Sequence, residues 1–143
     1  MPARLIDTNV LAYAYDGSEP EKQRRALAVL DELARSGDGR LSAQVLSEFF
    51  VTVTRKIATP LTIAQAEQCI ERYSRIWPVF SITPQVVSVA VRAVRAYQLS
   101  LWDAQVWAAA RVNRVSVVLT EDLRPGTVIG GVRFVDPFDG DCA

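Results

Sequence analysis

Short apolar runs alternate along this chain with longer segments whose apolar residues recur every three to four positions. The short runs are residues 3–6, 40–42, 79–82, 115–119 and 132–135, and the helical segments are residues 10–14, 19–35, 43–56, 62–77, 84–97 and 101–114. Strands separated by helices pair in parallel, because each helix returns the chain to the edge of the sheet where the strand began. The alternation therefore predicts an α/β fold with helices on both faces of a parallel sheet of four to five short strands.

Length and composition favour a single domain that covers residues 1–143. The chain has 143 residues, half of them apolar, which is enough for one full-sized core, and no change in composition marks a linker. No segment approaches the roughly 18 consecutive apolar residues of a membrane span, and the first residues run directly into a strand pattern. Cys69 and Cys142 form neither a disulfide framework nor a zinc-type spacing. We therefore expect a soluble cytoplasmic protein without membrane contact.

The complete absence of histidine limits the available chemistry. It removes the commonest general base and every serine–histidine or cysteine–histidine catalytic pair. The formal net charge is zero, so the chain lacks the basic composition of nonspecific nucleic-acid binders, and any polyanion must bind a local patch. Catalysis, if present, must depend on carboxylates.

Four acidic residues stand where such chemistry is expected. In open parallel sheets the ligand crevice lies beyond the carboxyl ends of the strands. Asp7 ends the first predicted strand, and Asp122 follows the fourth by three residues. Asp103 falls in the first turn of a predicted helix, and Glu48 lies inside a largely apolar helix, where an unpaired carboxylate is costly to bury. A bound cation relieves that cost.

Convergent carboxylates raise one another's pKa unless a divalent ion neutralises them. All-oxygen ligation selects hard ions, so the pattern predicts Mg²⁺, with Mn²⁺ as a substitute, and phosphate chemistry. Each residue also has an ordinary structural interpretation. Asp7 and Asp103 can serve a helix N-terminus, Asp122 can belong to the turn before Pro125, and Glu48 can extend to solvent.

Five segments together resemble one known family. They are LIDTNVLAYAYD, LSAQVLSEFF, LSLWDAQVWAAA, VVLTEDL and GVRFVDPF, in that order along nearly the whole chain. The chain looks like a PIN-domain ribonuclease, specifically a VapC-type toxin of a type II toxin-antitoxin system. The resemblance implies a PIN-like three-layer α/β/α sandwich, one or two Mg²⁺ or Mn²⁺ ions, and a cognate antitoxin protein as a partner. It also implies an RNA substrate, cut by metal-activated water to 5′-phosphate and 3′-hydroxyl ends.

The resemblance also assigns roles to individual residues. The family's four acidic positions, both catalytic and metal-binding, correspond to Asp7, Glu48, Asp103 and Asp122. Thr120 matches a hydroxyl residue that supports the site, and Asn9 matches a polar residue that orients the first aspartate. The chain departs from the family after Asp122, where Leu123-Arg124-Pro125-Gly126 replaces a further aspartate and an aromatic residue. This departure affects the assignment of Asp122 as the fourth acidic residue.

Cationic and aromatic residues near these positions suggest contacts with RNA. Candidates for phosphate contacts are Arg124, Arg111 and Arg114, although solvated helix faces carry such charges routinely. Trp102 and Trp107 flank the third acid and could stack on bases, but packing is the commoner role of such side chains. Late helices commonly form a homodimer in this family, and the apolar residues of segment 84–97 exceed one buried stripe, namely Val86, Val87, Val89, Val91 and Val94.

Two other functions fit parts of the pattern. A phosphatase could use Asp7 as its nucleophile, but that chemistry normally places a second acid two residues later, where this chain has Asn9. A non-catalytic α/β module could bind a metal and a protein partner without cleaving anything. Neither alternative requires Glu48, so this residue distinguishes the nuclease interpretation from both.

Overall fold

The computed structural model describes residues 2–139, in which helices separate most of the strands. The strands are β1 (Arg4–Ile6), β2 (Gly39–Ser42), β3 (Val79–Phe80), β4 (Val117–Leu119), β5 (Val128–Ile129) and β6 (Val132–Val135). The helices are α1 (Thr8–Tyr13), α2 (Pro20–Ser36), α3 (Ala43–Arg55), α4 (Ile63–Ile76), α5 (Pro84–Tyr97) and α6 (Leu101–Val112). Cys142 and the ends of the predicted 1–143 domain lie outside the described residues.

The strands form one sheet in the order β3-β2-β1-β4-β6-β5, with every pair parallel except β5 and β6. Strand β1 lies at the middle, and its Ile6 pairs with Leu119 at the end of β4. Successive residues Leu5 and Ile6 are both fully buried, and all three residues of β4 are buried. Burial of both faces requires helices on both sides of the sheet. The predicted α/β class is confirmed.

The five predicted strands are all present and pair in parallel, but one further strand was not predicted. Over residues 2–139 the sheet has six strands rather than four to five, and the additional strand, β5, is antiparallel to β6. Strand β5 has only two residues, too few to show any periodicity. It is joined to β6 by Gly130 and Gly131, whose φ angles of 54° and 80° suit the tight two-residue turn of a hairpin. This Gly-Gly pair was the available signal.

Several element boundaries also differ from the predicted ones. Strand β3 ends at Phe80 rather than Ile82, because its pairing with β2 involves only Leu41 and Ser42. Helix α6 ends at Val112 rather than Arg114, whose φ of 60° lies in the left-handed region and cannot continue the helix. The apolar pattern predicts neither how many residues of a strand pair nor where the backbone becomes left-handed.

Helix α5 keeps part of its apolar surface exposed. Val86 is buried, whereas Val87 and Val91 are 37% and 53% exposed. Val89 and Val94 pack at the margin of the core. The apolar excess that the sequence shows in this helix is therefore partly on the surface. Across residues 2–139, no helix has the length and apolar character needed to cross a membrane.

A single methyl group added at Gly39 is expected to disrupt the packing between β2 and Trp77 at the end of α4. A Cβ atom there would come within 2.4 Å of the indole nitrogen of Trp77, a side chain that is 2% exposed. The indole N–H also donates a hydrogen bond to the Leu33 carbonyl at 3.2 Å, so the ring is not free to move aside. We expect Gly39→Ala to lower the free energy of unfolding by about 1–3 kcal/mol, measured by urea denaturation.

The matched control is Gly17→Ala, because a Cβ at Gly17 meets its nearest atom only at 4.0 Å. This variant should change stability by less than about 0.5 kcal/mol. Equal stability of the two alanine variants would show that the Trp77 ring repacks at little cost, contrary to the expected steric conflict.

Candidate active site

Four acidic side chains line one open cavity beside the ends of β1 and β4. Asp7 directly follows β1, and Asp122 lies three residues beyond β4. Glu48 is on α3, and Asp103 is in the first turn of α6. The cavity has a volume of about 590 Å³, and all four residues are part of its lining. The fold therefore brings together the four positions that the sequence singled out.

Asp7 is the most deeply buried of the four acids, with 6% of its surface exposed. It is the N-cap of α1, where its Oδ1 accepts a hydrogen bond from the Thr8 backbone N–H at 2.7 Å. Its Oδ2 accepts from the Thr120 hydroxyl at 2.8 Å. The pKa of Asp7 is raised to about 6, mainly by burial and also by the charges of Asp122 and Glu48, against the lowering effect of both hydrogen bonds. Asp7 thus caps a helix and also faces the cavity.

Glu48 is half-buried, and both of its carboxylate oxygens are engaged. Oε2 accepts a hydrogen bond from the Thr8 hydroxyl at 3.1 Å, and Oε1 accepts from the Gln44 side-chain amide at 3.0 Å. A carboxylate has about four acceptor positions, so these two bonds leave capacity for a cation. The structure therefore orients Glu48 without exhausting its oxygens, and does not extend it fully into solvent.

Asp103 occupies the first turn of α6, which Ser100 caps by accepting a hydrogen bond from the Asp103 backbone N–H at 3.1 Å. Burial raises the pKa of Asp103 above its usual value, a hydrogen bond with the Ser100 side chain lowers it, and the charges of Asp122 and Glu48 raise it. Asp103 therefore shares the cavity with other acids, and their charges disfavour its ionised form.

Asp122 is an exposed acid held by the two supporting residues that the sequence indicated. The Asn9 side-chain amide donates to Asp122 Oδ2 at 3.1 Å and to the Thr120 hydroxyl oxygen at 3.2 Å. The backbone N–H of Asp122 also donates to that hydroxyl oxygen at 3.1 Å. Asn9 therefore contacts the fourth acid rather than the first, whereas the Thr120 hydroxyl connects Asp7 to both Asn9 and Asp122.

Glu121 faces away from the other acids and anchors the segment that carries Asp122. Its carboxylate accepts a hydrogen bond from the Tyr13 hydroxyl at 2.7 Å and forms an ion pair with Lys22 at 2.9 Å. Its backbone N–H donates to Asn9 Oδ1 at 3.3 Å. These contacts attach the segment after β4 to α1 and α2, and so fix the position from which Asp122 reaches the cavity.

The chemistry of the cavity lining fits a hard divalent cation. Its lining in the described residues includes four carboxylates and one cationic side chain, Lys56, so negative charge predominates. Within residues 2–139, no three acidic side chains converge closely enough to form a complete ligand cage. Mg²⁺ normally keeps several waters and takes only one or two protein carboxylates, so a wide acidic cavity suits it better than a closed cage.

None of the three arginines predicted to contact RNA is in the lining of the acidic cavity. Arg111 and Arg114 line a different groove, between α5 and α6, with a volume of about 460 Å³. Arg124 is exposed two residues beyond Asp122 and is not in the lining of the acidic cavity. Trp107 is 6% exposed and donates its indole N–H to the Ile129 carbonyl at 2.9 Å, so it packs in the core. Trp102 is 59% exposed and lines the acidic cavity.

Sequence reasoning missed three polar residues that support Glu48 directly or through one another. Thr8 and Gln44 both donate to Glu48, and Gln105 donates to Gln44 Oε1 at 2.7 Å. The spacing of Gln44 and Glu48, four residues apart on one helix, was the available signal. Gln105 lies in an alanine-rich helix and had no sequence signal beyond being a buried polar residue.

Comparison with protein families shows which family this chain belongs to. A family model described as the PIN domain matches residues 4–128. The chain belongs to the PIN domain family. The match begins with β1 and ends in β5, so it includes all four acids of the cavity. No curated protein sequence matches the chain significantly.

Several solved structures share the fold of this chain. A toxin-antitoxin complex from Klebsiella pneumoniae matches with a TM-score of 0.69 and 21% identity, covering 94% of this chain and 98% of that one. The sarcin-ricin loop cleaving toxin VapC20 of Mycobacterium tuberculosis matches with a TM-score of 0.67 and 18% identity, covering 92% and 99%. VapBC2 from Rickettsia felis, bound to a promoter DNA fragment, matches with a TM-score of 0.64 and 12% identity, covering 92% and 96%. At such identities the likeness establishes the PIN fold.

Proposed function

We propose that this PIN-domain protein is a VapC-type toxin, a cytoplasmic endoribonuclease that depends on Mg²⁺ or Mn²⁺. It cleaves RNA by hydrolysis, leaving 5′-phosphate and 3′-hydroxyl ends, and a cognate antitoxin protein neutralises it. The observation that carries the proposal is the convergence of Asp7, Glu48, Asp103 and Asp122 on one cavity. These four acids come from separate elements of the fold, so their meeting is a property of the tertiary structure.

The comparisons support this proposal at the level of the family. PIN domains of the VapC type are nucleases in general. The M. tuberculosis neighbour is described as a toxin that cleaves the sarcin-ricin loop, and the K. pneumoniae neighbour as a toxin-antitoxin complex. We infer by analogy that this chain also acts on an RNA and also binds an antitoxin. The particular RNA sequence is not part of the proposal.

The proposed chemistry assigns a role to each acidic residue. Asp7, Glu48 and Asp103 would hold the cation, one or two of them directly and the rest through its bound waters, and Asp122 would complete its surroundings directly or through water. When bound, the ion lowers the pKa of a water molecule and offsets charge on the scissile phosphate. The Thr120 hydroxyl and the Asn9 amide keep Asp7 and Asp122 in place through the hydrogen bonds described above. The segment containing Arg124 is the nearest candidate for contacting an RNA phosphate.

A homodimer is part of the proposal, formed through the late helices. The exposed valines of α5, Val87 and Val91, supply an apolar surface, and neither is in the lining of the groove that contains Arg111 and Arg114. In such a dimer these arginines would lie away from the cleavage site of their own subunit. Their contact with RNA would then concern phosphates distant from the scissile one.

The test of the proposed function is to map new RNA 5′ ends in cells after brief induction of the protein, with Asp7→Asn at the same level as the control. We expect defined 5′-phosphate ends with the wild-type protein alone, because Asn at position 7 keeps the shape of the cap but removes a charge that the cation requires. The measurement is sequencing of RNA fragments that carry a 5′ phosphate, and it also identifies the RNA that is cut.

Identical 5′ ends in the two samples, with both proteins folded and free of antitoxin, would contradict the nuclease and favour a binding module. A phosphatase would instead release inorganic phosphate from phosphomonoesters and leave no new RNA ends. That chemistry normally needs a second acid two residues after the nucleophile, where this chain has Asn9, and the Asn9 amide instead donates to Asp122.

A further inference from the structure

Two buried glutamine side chains connect Glu48 to helix α6. Gln105 Nε2 donates to Gln44 Oε1 at 2.7 Å, and Gln44 Nε2 donates both to Glu48 Oε1 and to the Trp102 carbonyl, each at 3.0 Å. We propose that Gln44, oriented by Gln105, is a positioning residue that fixes the Glu48 carboxylate relative to Asp103 for cation binding. The inference rests on the proposed function, because it assumes that these acids bind a metal.

The orientation of the Gln44 amide is determined by its partners. A carboxylate and a backbone carbonyl are both acceptors only, so the amide nitrogen must face Glu48 and the Trp102 carbonyl. The amide oxygen then faces α6, where Gln105 supplies the matching donor at 2.7 Å. A rotation of the amide by 180° would place an oxygen against two acceptors and leave three groups unpaired. The arrangement therefore has one favourable state.

The same contacts determine the rotamer of Glu48. Gln44 holds one carboxylate oxygen, and the Thr8 hydroxyl on α1 holds the other at 3.1 Å. The side chain is thus fixed from two directions, by residues of different helices. A ligand fixed before the ion arrives loses less conformational entropy when the ion binds. These contacts are therefore expected to contribute to metal affinity.

The bond to the Trp102 carbonyl links this arrangement to the third acid. Trp102 directly precedes Asp103 in the first turn of α6, while Gln44 and Glu48 lie one turn apart on α3. Gln44 therefore contacts both the carboxylate on one helix and the backbone that carries the carboxylate on the other. The spacing of Glu48 and Asp103 depends on this side chain, which is the property expected of a positioning residue.

A purely structural role for the two amides is the alternative explanation. Gln44 and Gln105 are 8% and 7% exposed, and buried amides need hydrogen-bond partners wherever they occur. If they served only one another, replacing Gln44 would change stability but would not change the affinity of the folded protein for a cation. Metal affinity separates the two explanations, and it can be measured without RNA.

The experiment measures Mn²⁺ binding to the purified protein by the paramagnetic resonance of free Mn²⁺. Gln44→Met keeps the length of the side chain and removes the donors, and Gln68→Met makes the same change at an exposed position of α4. We expect Gln44→Met to raise the dissociation constant for Mn²⁺ by about 10- to 100-fold, the usual effect of losing a group that orients a metal ligand. Gln68→Met should bind Mn²⁺ with the same dissociation constant as the wild-type protein. In RNA cleavage, kcat should fall at a fixed Mn²⁺ concentration while KM for RNA stays unchanged.

The possible outcomes distinguish this inference from the proposed function. Wild-type affinity in folded Gln44→Met, alongside lost affinity in Asp103→Asn, would overturn the positioning role alone. No Mn²⁺ binding by the wild-type protein would overturn the proposed function and the inference with it. If Gln44→Met does not fold, Gln105→Met decides, because it removes the donor that orients Gln44 without touching an acid. Unchanged affinity in that variant would also overturn the inference.

Discussion

Asp103→Asn is expected to reduce metal-dependent RNA cleavage by at least about 1,000-fold, which corresponds to about 4 kcal/mol of lost transition-state stabilisation. The substitution keeps the size of the side chain but removes one of the charges that hold the cation. The measurement is the cleavage rate on the RNA identified in cells, at saturating Mn²⁺, together with the free energy of unfolding of the metal-free protein.

Stability should hardly change in this variant, and the direction follows from the pKa. Burial raises the pKa of Asp103, so in the metal-free protein the ionised carboxylate weakens the folded state as the pH rises through that pKa. The neutral amide removes this penalty, while the first turn of α6 loses a charge that favours the helix N-terminus. The two effects oppose each other, and we expect a net change below about 1 kcal/mol.

The control for this prediction is Glu67→Gln, which removes an acid from the exposed face of α4, away from the cavity lining. It should retain full activity and stability. Loss of folded structure in Asp103→Asn would mean that the residue serves the fold rather than the site. Full activity in a folded Asp103→Asn protein would remove Asp103 from the proposed cation site.

The acidic cluster could be predicted from the sequence because two of its members follow the ends of parallel strands. Parallel strands place their carboxyl ends at one edge of the sheet, so residues that follow β1 and β4 had to approach each other, as Asp7 and Asp122 do. Glu48 was recognisable because a carboxylate among apolar helix residues requires a partner. These inferences depend on local pattern and on chain topology, both of which a sequence contains.

The partners of the acids were harder to predict, because hydrogen bonds between distant segments depend on side-chain direction. Asn9 lies two residues after Asp7, yet its amide reaches Asp122, more than a hundred residues away. The direction of that amide follows from α1, which turns the side chain toward the segment after β4. Gln44 and Gln105 likewise meet only because α3 packs near α6. Periodicity predicts which residues are buried but not which buried groups meet.

Helix α3 carries cavity-lining residues on one face and core residues on a neighbouring face. Val45, Phe49 and Val53 recur every four residues and are fully buried, whereas Glu48 and Thr52 line the acidic cavity. The sequence neighbours Glu48 and Phe49 thus have different tasks. Replacing the first should affect metal binding, and replacing the second should affect the fold.

Phe49→Ala is therefore expected to cause a large loss of stability, about 3–5 kcal/mol. Phe49 is fully buried, and its ring makes edge-to-face contacts with Tyr15 and Tyr73, each at 5.7 Å between ring centroids. Tyr73 in turn stacks on Trp77, so the removed ring supports an aromatic cluster that joins α3 to α4. Urea denaturation should show a lower midpoint with an unchanged slope, because the surface exposed on unfolding is nearly the same.

An exposed aromatic residue provides the comparison for Phe49. Tyr97 is 53% exposed at the end of α5, and Tyr97→Ala should cost less than about 0.5 kcal/mol. A cost below about 1 kcal/mol for Phe49→Ala would show that the neighbouring rings close the cavity, which their hydrogen bond makes difficult. The Tyr15 and Tyr73 hydroxyls lie 2.8 Å apart, and moving either ring into the space left by Phe49 would strain or break that bond. The cavity should therefore stay largely open, and the variant should lose all of the stability that the ring contributes.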